Sequence, residues 1–312
     1  MTHGSQRRIT TQLQARDGSS SESDSRATKL ESGLYLVSTP IGNLGDITLR
    51  ALDVLRRADV IACEDTRVTQ KLLTALGLGA EGRLVAYHEH NAHAATPRLI
   101  QRLEAGGSVA LASDAGTPLI SDPGRGLVAA CQAAGLPVTA LPGASALLPA
   151  LQLAGLPVAP FLFAGFLPAK GQERRRAIGG LAAVAATLVF YEAPHRLAET
   201  LADLAELLGP RPAAVARELT KRFEEVRRGD LVGLAAHYAA ADQPKGEIVL
   251  LVGPPDAAAP EAMADIDDLL RRALEVSSLR DAVAQVAAES GQPRKDVYAR
   301  ALELSRELSK DA

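Results

Sequence analysis

The sequence of 312 residues contains no tryptophan, and aromatic side chains make up only 3% of it. Any core must therefore be built mainly from Leu, Val and Ala, and few rings are left for stacking single-stranded nucleic acid. Only two cysteines are present, Cys63 and Cys131, both in apolar stretches. This favours two buried thiols in a reducing compartment over a disulfide framework. We therefore expect a cytoplasmic protein.

Long apolar runs and a large excess of charge are also missing. No run approaches the roughly 20 residues that span a membrane, so we expect no membrane partner. The formal net charge is −3, from 34 Lys and Arg against 37 Asp and Glu. Any contact with nucleic acid must therefore use a local basic patch. Residues 1–32 are polar and lack the apolar segment of a signal peptide, which predicts a disordered tail.

From residue 33 the chain alternates between short apolar runs and amphipathic segments. Strands are predicted at 34–39, 59–64, 84–87, 109–114 and 138–141, and helices at 47–58, 66–76, 96–105 and 124–134. Asp46 or Thr48 could cap the first helix. Strands separated by helices predict right-handed βαβ units and a mostly parallel sheet that is covered on both faces.

Residues 145–254 show a different pattern. Strands are predicted at 161–166, 187–191, 213–217 and 247–252, with one clear helix at 195–208. This indicates a mixed sheet in a separate α+β domain. The predicted fold class is thus α/β, with a mostly parallel N-terminal lobe (33–144) and a mixed-sheet lobe (145–254).

A small helical extension is predicted at 261–312, where two helices have the shape of a helix-turn-helix. This extension carries eight basic against eleven acidic side chains. A DNA-reading helix needs a cationic surface, so packing or dimerisation is favoured and no DNA partner is expected.

Five segments at predicted strand ends concentrate turn-forming or charged residues. They are 38–46, 113–124, 141–146, 191–196 and 216–225. In open α/β sheets, ligands bind beyond the carboxyl ends of the strands. Segment 113–124 has two prolines, two glycines and few charges, which suits a zwitterionic or nucleoside ligand. Taken alone, the other segments could equally be plain turns, a helix cap or a solvated rim.

In this order, the five segments resemble the tetrapyrrole methylase superfamily. More closely, they resemble the ribosomal RNA small-subunit methyltransferase I family, the cytidine-2′-O-methyltransferases of bacterial 16S rRNA. The diagnostic stretches are 39–46, 64–67, 113–124, 191–196 and 216–221, and the resemblance covers about residues 33–253. It implies a bilobal fold with S-adenosylmethionine in the cleft between the lobes. It also implies a homodimer that acts on 16S rRNA of the small ribosomal subunit.

The resemblance also implies a set of cofactor-binding residues. They are Pro40, Asp114, Ala115, Gly116, Thr117, Ile120, Ser121, Ala144, Ser145, Phe163, Tyr191 and Gly246. A Rossmann-type interpretation would instead place the cofactor ribose on Glu64 or Asp65, at the end of the second strand. The resemblance moves the cofactor to the end of the fourth strand.

Methylation of a ribose hydroxyl requires alignment of donor and acceptor, and a base or hydrogen-bond acceptor for a weak nucleophile. Asp46, His88, Glu89 and Glu192 are candidates for that base, while Lys221 or Arg217 could stabilise an alkoxide or bind a phosphate. From these we predict Glu192, His88 and Lys221 as the catalytic residues.

A large anionic acceptor also requires cations. Arg67, Lys170, Arg174, Arg175, Arg176 and Arg217 are predicted to contact RNA. The histidines near His88 lack cysteines or a second cluster, so no metal is expected.

Two alternatives stay open. A tetrapyrrole (precorrin or uroporphyrinogen) C-methyltransferase would methylate carbon on a polycarboxylate ring, and segments 64–67 and 191–196 argue against it. A non-catalytic RNA-binding factor could keep the same fold, but it would have no need of intact cofactor-like loops.

Overall fold

The structure is a computed structural model that describes residues 29–80, 82–255, 261–290 and 292–308. Most of the predicted tail, residues 1–28, lies outside the described residues, and so does the segment 256–260.

The first lobe is built on a parallel sheet of five strands in the order β3-β2-β4-β1-β5. The strands are β1 (Gly33–Val37), β2 (Val60–Cys63), β3 (Leu84–Ala86), β4 (Ser108–Ala112) and β5 (Val138–Leu141). The helices are α1 (Leu49–Arg57), α2 (Thr66–Ala75), α3 (Ala92–Glu104) and α4 (Arg125–Ala133). The central strand β4 is buried at every position, between one apolar cluster that includes Leu55 and another that includes Leu127. The predicted parallel sheet is confirmed.

Side chains at two helix starts explain where those helices begin. Thr48 caps α1, because its Oγ1 accepts a hydrogen bond from the Ala51 amide at 3.1 Å. Helix α3 begins four residues before the prediction and contains Pro97. The turn before α3 is fixed by Asn91, whose Oδ1 accepts from the His88 amide and whose Nδ2 donates to the Ala86 carbonyl, both at 2.9 Å.

The second lobe contains a mixed sheet in the order β6-β7-β10-β8-β9. Its strands are β6 (Phe161–Phe166), β7 (Thr187–Glu192), β8 (Pro212–Arg217), β9 (Glu225–Asp230) and β10 (Ile248–Val252). Its helices are α5 (Leu147–Ala154), α6 (Gly171–Leu181), α7 (Leu197–Leu208) and α8 (Leu231–Ala240). The mixed sheet was predicted, whereas β9, α5, α6 and α8 were not. Helices α6, α7 and α8 cover one face of this sheet, and α5 covers the face that looks toward the first lobe.

Three further helices follow, α9 (Glu261–Val276), α10 (Leu279–Ser290) and α11 (Arg294–Leu308). They have a small core of their own around Leu270, Val283 and Leu304. Arg300 ties α11 to α9 through Asp267, at 2.7 Å between Nε and Oδ1. Across the ranges that the structure describes, no helix is both long enough and apolar enough to cross a membrane.

Candidate active site

A cleft of about 390 Å³ lies between the two lobes, at the carboxyl ends of β1 and β4. The first lobe lines it with Ile41, the loop from Asp114 to Thr117, and Ile120, Ser121 and Asp122. The second lobe lines it with Ala146, Phe166, the turn from Tyr191 to Pro194, Leu219 and the residues from Gly246 to Val249. Both lobes are therefore needed to form it.

The loop after β4 is held against the end of β1. The backbones of Thr39 and Gly116 exchange two hydrogen bonds of 2.9 Å each. The Thr39 hydroxyl donates to the Ser113 carbonyl at 2.9 Å, and the Thr117 hydroxyl donates to the Ala144 carbonyl at 3.0 Å. These contacts join segments 38–46, 113–124 and 141–146, which the sequence had marked separately.

Backbone strain is concentrated around the cleft. Within the described residues, the non-glycine residues with positive φ are Leu119 (71°), Ser121 (70°), Glu218 (51°) and Thr220 (66°). All four lie in the two loops that border the cleft, residues 113–124 and 218–224. Such conformations cost free energy, and they are typical of binding and catalytic sites that the surrounding structure holds in place.

An aromatic cluster occupies the wall of the cleft that comes from the second lobe. The Tyr191 ring meets Phe163 at 4.8 Å and Phe166 at 5.7 Å between centroids, both edge to face. Because the register of β6 shifts between Phe163 and Phe166, both rings reach the same side of the strand. Burial raises the pKa of the Tyr191 hydroxyl, although a hydrogen bond with Ser145 opposes the shift.

Two carboxylates of the first lobe face the cleft. Burial raises the pKa of Asp114, whose Oδ1 accepts a hydrogen bond from the Asp65 amide at 3.2 Å. Burial also raises the pKa of Asp122, against a 2.5 Å hydrogen bond from the Ser113 hydroxyl. Both side chains lie where a cation in the cleft would favour their charged form.

Lys221 connects the two lobes beside the cleft. Its Nζ donates to Glu218 at 2.8 Å and to Glu247 at 3.0 Å, and its aliphatic chain covers Gly42 so closely that a Cβ there would collide with it. Burial alone lowers the pKa of Lys221, but the hydrogen bonds to the two carboxylates outweigh burial and leave this pKa raised. Lys221 is therefore a cation at neutral pH and not a general base.

The other two predicted catalytic residues have different surroundings. Glu192 lines the cleft, but its carboxylate is buried and accepts hydrogen bonds from the Thr200 hydroxyl at 2.6 Å and the Ala193 amide at 2.8 Å. These bonds hold the turn at Ala193 in place. His88 does not line the cleft, and its buried Nδ1 has no hydrogen-bond partner among the described residues.

Eight of the twelve predicted cofactor residues line the cleft: Asp114, Ala115, Gly116, Thr117, Ile120, Ser121, Tyr191 and Gly246. The other four adjoin that lining: Pro40 precedes Ile41, the Ala144 carbonyl accepts from Thr117, Ser145 bonds to Tyr191, and Phe163 packs on Tyr191. Glu64 and Asp65, the Rossmann-type alternative, do not line the cleft.

Sequence reasoning did not single out Ile41, Asp122, Phe166 or Glu247, which do line the cleft. Asp122 belongs to the marked segment 113–124. Phe166 could have been found only by foreseeing the bulge in β6.

The predicted basic patch on α6 is divided by the fold. Arg174 is 5% exposed, and its Nε donates to Asp203 of α7 at 2.6 Å. Arg175 also pairs with Asp203, at 2.8 Å, and with Glu206. The structure therefore gives Arg174 and Arg175 carboxylate partners within the second lobe, and leaves Lys170 and Arg176 exposed.

The remaining predicted RNA contacts lie elsewhere. The Arg67 side chain is 85% exposed, and its hydrogen bonds lower the pKa of Asp65 to about 2. Arg217 is paired with Glu225 at 2.8 Å. No group of three metal-ligating side chains occurs in the part of the chain that the structure describes.

Comparisons with known proteins agree with this architecture. A family model described as tetrapyrrole (corrin/porphyrin) methylases matches residues 33–235, and one described as the RsmI C-terminal HTH domain matches residues 260–305. A protein from Mesorhizobium japonicum named ribosomal RNA small subunit methyltransferase I is 54% identical over 89% of this chain and 94% of its own length. A protein of the same name from Erythrobacter litoralis is 52% identical over 90% of this chain and 98% of its own.

Among solved structures, a uroporphyrin-III-C-methyltransferase from Thermus thermophilus matches with a TM-score of 0.51 and 27% identity, over 71% of this chain and 94% of that one. Two stacked α/β lobes with a cleft between them thus define a bilobal methyltransferase. The chain belongs to the tetrapyrrole methylases and, within them, to the family of the proteins named ribosomal RNA small subunit methyltransferase I.

The methyl donor is S-adenosylmethionine, and the residues of the cleft fit this molecule. The volume of about 390 Å³ falls in the range of small-molecule sites. The lining includes Asp114 and Asp122, together with the aromatic residues Phe166 and Tyr191, which suits a ligand that carries a sulfonium and an ammonium group. Glycine at position 116, with φ of 81°, lets the backbone approach the ligand.

Proposed function

We propose that this protein transfers a methyl group from S-adenosylmethionine to the 2′-hydroxyl of a cytidine in 16S rRNA of the small ribosomal subunit. Relatives named for the small-subunit RNA support the proposal, since they match nearly the whole chain at more than half identity. The observation that carries it is the composition of the cleft, which separates an RNA substrate from the tetrapyrrole alternative.

A tetrapyrrole substrate carries several carboxylates, and a site for it needs cations. The described lining of the cleft contains acidic side chains but no Lys or Arg. The cations lie outside the lining, at Lys221 beside the cleft and at the exposed Arg222 that follows it. This distribution fits a ribose that enters the cleft while the phosphates stay at its rim.

The bound cofactor would supply a methyl group already activated on a sulfonium, and Asp114, Gly116, Tyr191 and Gly246 would hold it. Lys221 is the best placed of the three predicted catalytic residues, because a protonated amine beside the cleft stabilises a developing alkoxide or an adjacent phosphate. Glu192 would act by keeping the turn at Ala193 and Pro194 in its position. His88 would act only if the RNA reaches beyond the cleft toward β3.

Further parts of the proposal concern assembly and organisation. We infer a homodimer in the cytoplasm, with lobes at 33–144 and 145–254 and the helical extension at 261–312. An association surface is supported by β6, an edge strand whose Phe161 is 41% exposed and is preceded by Val158 at 56%. Light scattering of the purified protein tests the oligomeric state.

The decisive experiment incubates the protein with radiolabelled S-adenosylmethionine and small ribosomal subunits from cells that lack this protein. We expect label in 16S rRNA, and mass mapping should place it on the ribose of one cytidine. Asp114→Ala is the matched inactive control. An RNA fragment with 2′-deoxycytidine at the mapped position should accept no label. Label on uroporphyrinogen III instead, or on a base, would overturn the proposal.

A further inference from the structure

The loop from Glu218 to Glu224, which connects β8 to β9, presents an aromatic ring to solvent. Phe223 is 66% exposed, more than any other Phe or Tyr of the described ranges. The guanidinium of Arg222 lies 5.6 Å from the centroid of this ring. A large exposed apolar side chain next to a cation is an arrangement that suits a nucleobase, since a base can stack on the ring while the cation meets its phosphate.

The loop is ordered by hydrogen bonds of its own. The Lys221 amide donates to the Glu218 carbonyl at 3.0 Å, and the Glu224 amide donates to the Lys221 carbonyl at 3.2 Å, so two turns follow each other. The Glu224 carboxylate closes the loop by accepting from the Thr220 amide at 2.7 Å. The backbone that carries Phe223 is therefore ordered before any ligand arrives, which lowers the entropy cost of binding.

A second pocket, of about 430 Å³, lies behind the ring. Its wall includes the rings of Phe223 and Tyr238, and charged residues of both signs: Arg217, Arg227, Lys245, Glu218, Glu225 and Asp242. This pocket and the cofactor cleft are separated by neighbouring residues of the same two loops. Leu219 and Gly246 line the cleft, whereas their chain neighbours Glu218 and Lys245 line the second pocket. The two sites therefore share the same two loops, so one RNA chain could contact both.

The cations around the second pocket are of two kinds. Arg217 and Arg227 share the single carboxylate of Glu225, at 2.8 Å and 3.0 Å, so both are engaged in ion pairs although the three groups keep one net positive charge. Arg222 and Lys245 are exposed, and neither forms an ion pair with a carboxylate of the described ranges. These two side chains are available for phosphates.

We propose that Phe223 and the pocket behind it bind one nucleotide that flanks the methylated nucleotide, with its base stacked on Phe223 and its phosphate held by Arg222 or Lys245. This inference rests on the proposed function and adds the position of the neighbouring nucleotide. Because the chain has no natural tryptophan, the variant Phe223→Trp places a single fluorophore at the proposed contact. Stacking on a base quenches tryptophan emission.

The first experiment titrates the Phe223→Trp protein with a single-stranded oligoribonucleotide of the 16S rRNA sequence around the methylated cytidine. We expect quenching that saturates with RNA. Val232→Trp is the matched control, because Val232 is also an exposed apolar residue, at 52%, and lies in the first turn of α8, which follows the other end of β9. The tryptophan emission of the Val232→Trp variant should not be quenched by RNA. Equal emission changes in the two variants, or none in either, would overturn the inference.

The second experiment uses Phe223→Ala. The affinity for the same oligonucleotide and for small subunits should fall about 5- to 100-fold, with unchanged calorimetric affinity for S-adenosylmethionine and unchanged Tm. Phe223→Tyr should restore most of the binding. Lys245→Ala should lower the slope of log Kd against log salt by about 0.7, the value for one phosphate on a single strand.

The outcomes separate this inference from the proposed function. Wild-type methylation of 16S rRNA with unaltered RNA binding by Phe223→Ala refutes only the nucleotide contact. Quenching without methylation of rRNA refutes the function and keeps the contact. If Phe223→Ala lost affinity for whole subunits but not for the free oligonucleotide, Phe223 would contact a ribosomal protein instead of a nucleotide. That result would overturn the inference.

Discussion

Thr39 and Gly116 pair through two backbone hydrogen bonds of 2.9 Å, which join the end of β1 to the loop after β4. This pairing gives the floor of the cleft its shape without any side chain. The backbone of Gly116 has a φ of 81°, and a Cβ there would come within 3.3 Å of Ile41. The site therefore depends on a conformation that only glycine adopts without strain.

The Gly116→Ala variant should bind S-adenosylmethionine at least 10-fold more weakly, because the added methyl strains the loop and occupies the floor of the cleft. Gly126→Ala is the control, since this glycine lies inside α4 with open space around the position of a Cβ. The Gly126→Ala variant should keep its affinity for S-adenosylmethionine and should be at least as stable as wild type, because alanine has the higher helix propensity. Calorimetric titration measures the affinity of each variant for S-adenosylmethionine, and thermal unfolding measures its stability. Equal affinities of Gly116→Ala and wild type would show that the paired loop does not hold the cofactor.

The first lobe follows from the sequence more completely than the second, and the reason is burial. Strand β4 is covered on both faces, so its residues Ser108–Ala112 form a nearly continuous apolar run followed by turn formers. Strand β9 is an edge strand with the sequence EVRRGD and shows no apolar alternation. Its register is set by pairing with β8, a tertiary contact that periodicity does not contain.

Asp122 should give cofactor binding a pH dependence. Burial raises the pKa of its carboxyl, so the folded protein without cofactor disfavours the charged form. The stability that this group supplies is present below the unfolded pKa of about 4 and is lost as the pH rises through the raised folded pKa. A cationic ligand reverses the preference, so the affinity for S-adenosylmethionine should increase as the pH rises through that same value.

Asp122→Asn should flatten this pH profile and weaken cofactor binding at pH 7. Without cofactor, the variant should unfold at a higher temperature than wild type at pH 7, and this gain should disappear toward pH 4, where the wild-type carboxyl is protonated. Glu104→Gln, which replaces an exposed carboxylate at the end of α3, should leave both curves unchanged. A variant with the wild-type pH profile would show that another group titrates.

Arg174 and Arg176 should behave differently, although the sequence places them in one basic run. Arg174 is buried against Asp203, and removing one partner of a buried pair costs about 3–5 kcal/mol. Arg174→Ala should therefore lower the free energy of unfolding, measured by denaturant titration, by that amount, while Arg176→Ala should leave it unchanged. RNA affinity measured on the folded fraction should fall only for Arg176→Ala, since the Arg176 side chain is exposed. Equal stabilities would refute the buried pair.

The local sequence of helix α6 does not reveal that Arg174 is buried while Arg176 is exposed. Its sequence GQERRRAIGGL combines three arginines with three glycines and has little apolar periodicity, so the sequence predicts a basic patch there but no helix. Its position is fixed instead by Ile178 in the core and by Arg174, which reaches Asp203 of α7. The acid that neutralises an arginine lies on another helix, and nothing in the local sequence of α6 indicates that pairing.

Lys221 should affect the rate of methylation more than the binding of the cofactor. The variant Lys221→Met keeps the length of the side chain over Gly42 but removes its charge. If the amine stabilises the alkoxide or a phosphate, kcat on small subunits should fall at least 10-fold while the Kd for S-adenosylmethionine changes less than threefold, by analogy with other electrostatic stabilisers.

Loss of Lys221 also leaves Glu218 and Glu247 without their shared cation, which could by itself disturb the loop. The double variant Lys221→Met with Glu218→Gln removes the unpaired charge of Glu218, which is 18% exposed, and leaves only that of Glu247, which is 65% exposed. Measuring both single variants beside it completes a double-mutant cycle and separates the two effects. A structural role predicts that the double variant recovers both Tm and kcat. If Lys221 acts at the reacting hydroxyl, Tm should recover in the double variant but kcat should stay low. No other cation of the described residues contacts both Glu218 and Glu247, so none takes the place of the Lys221 charge.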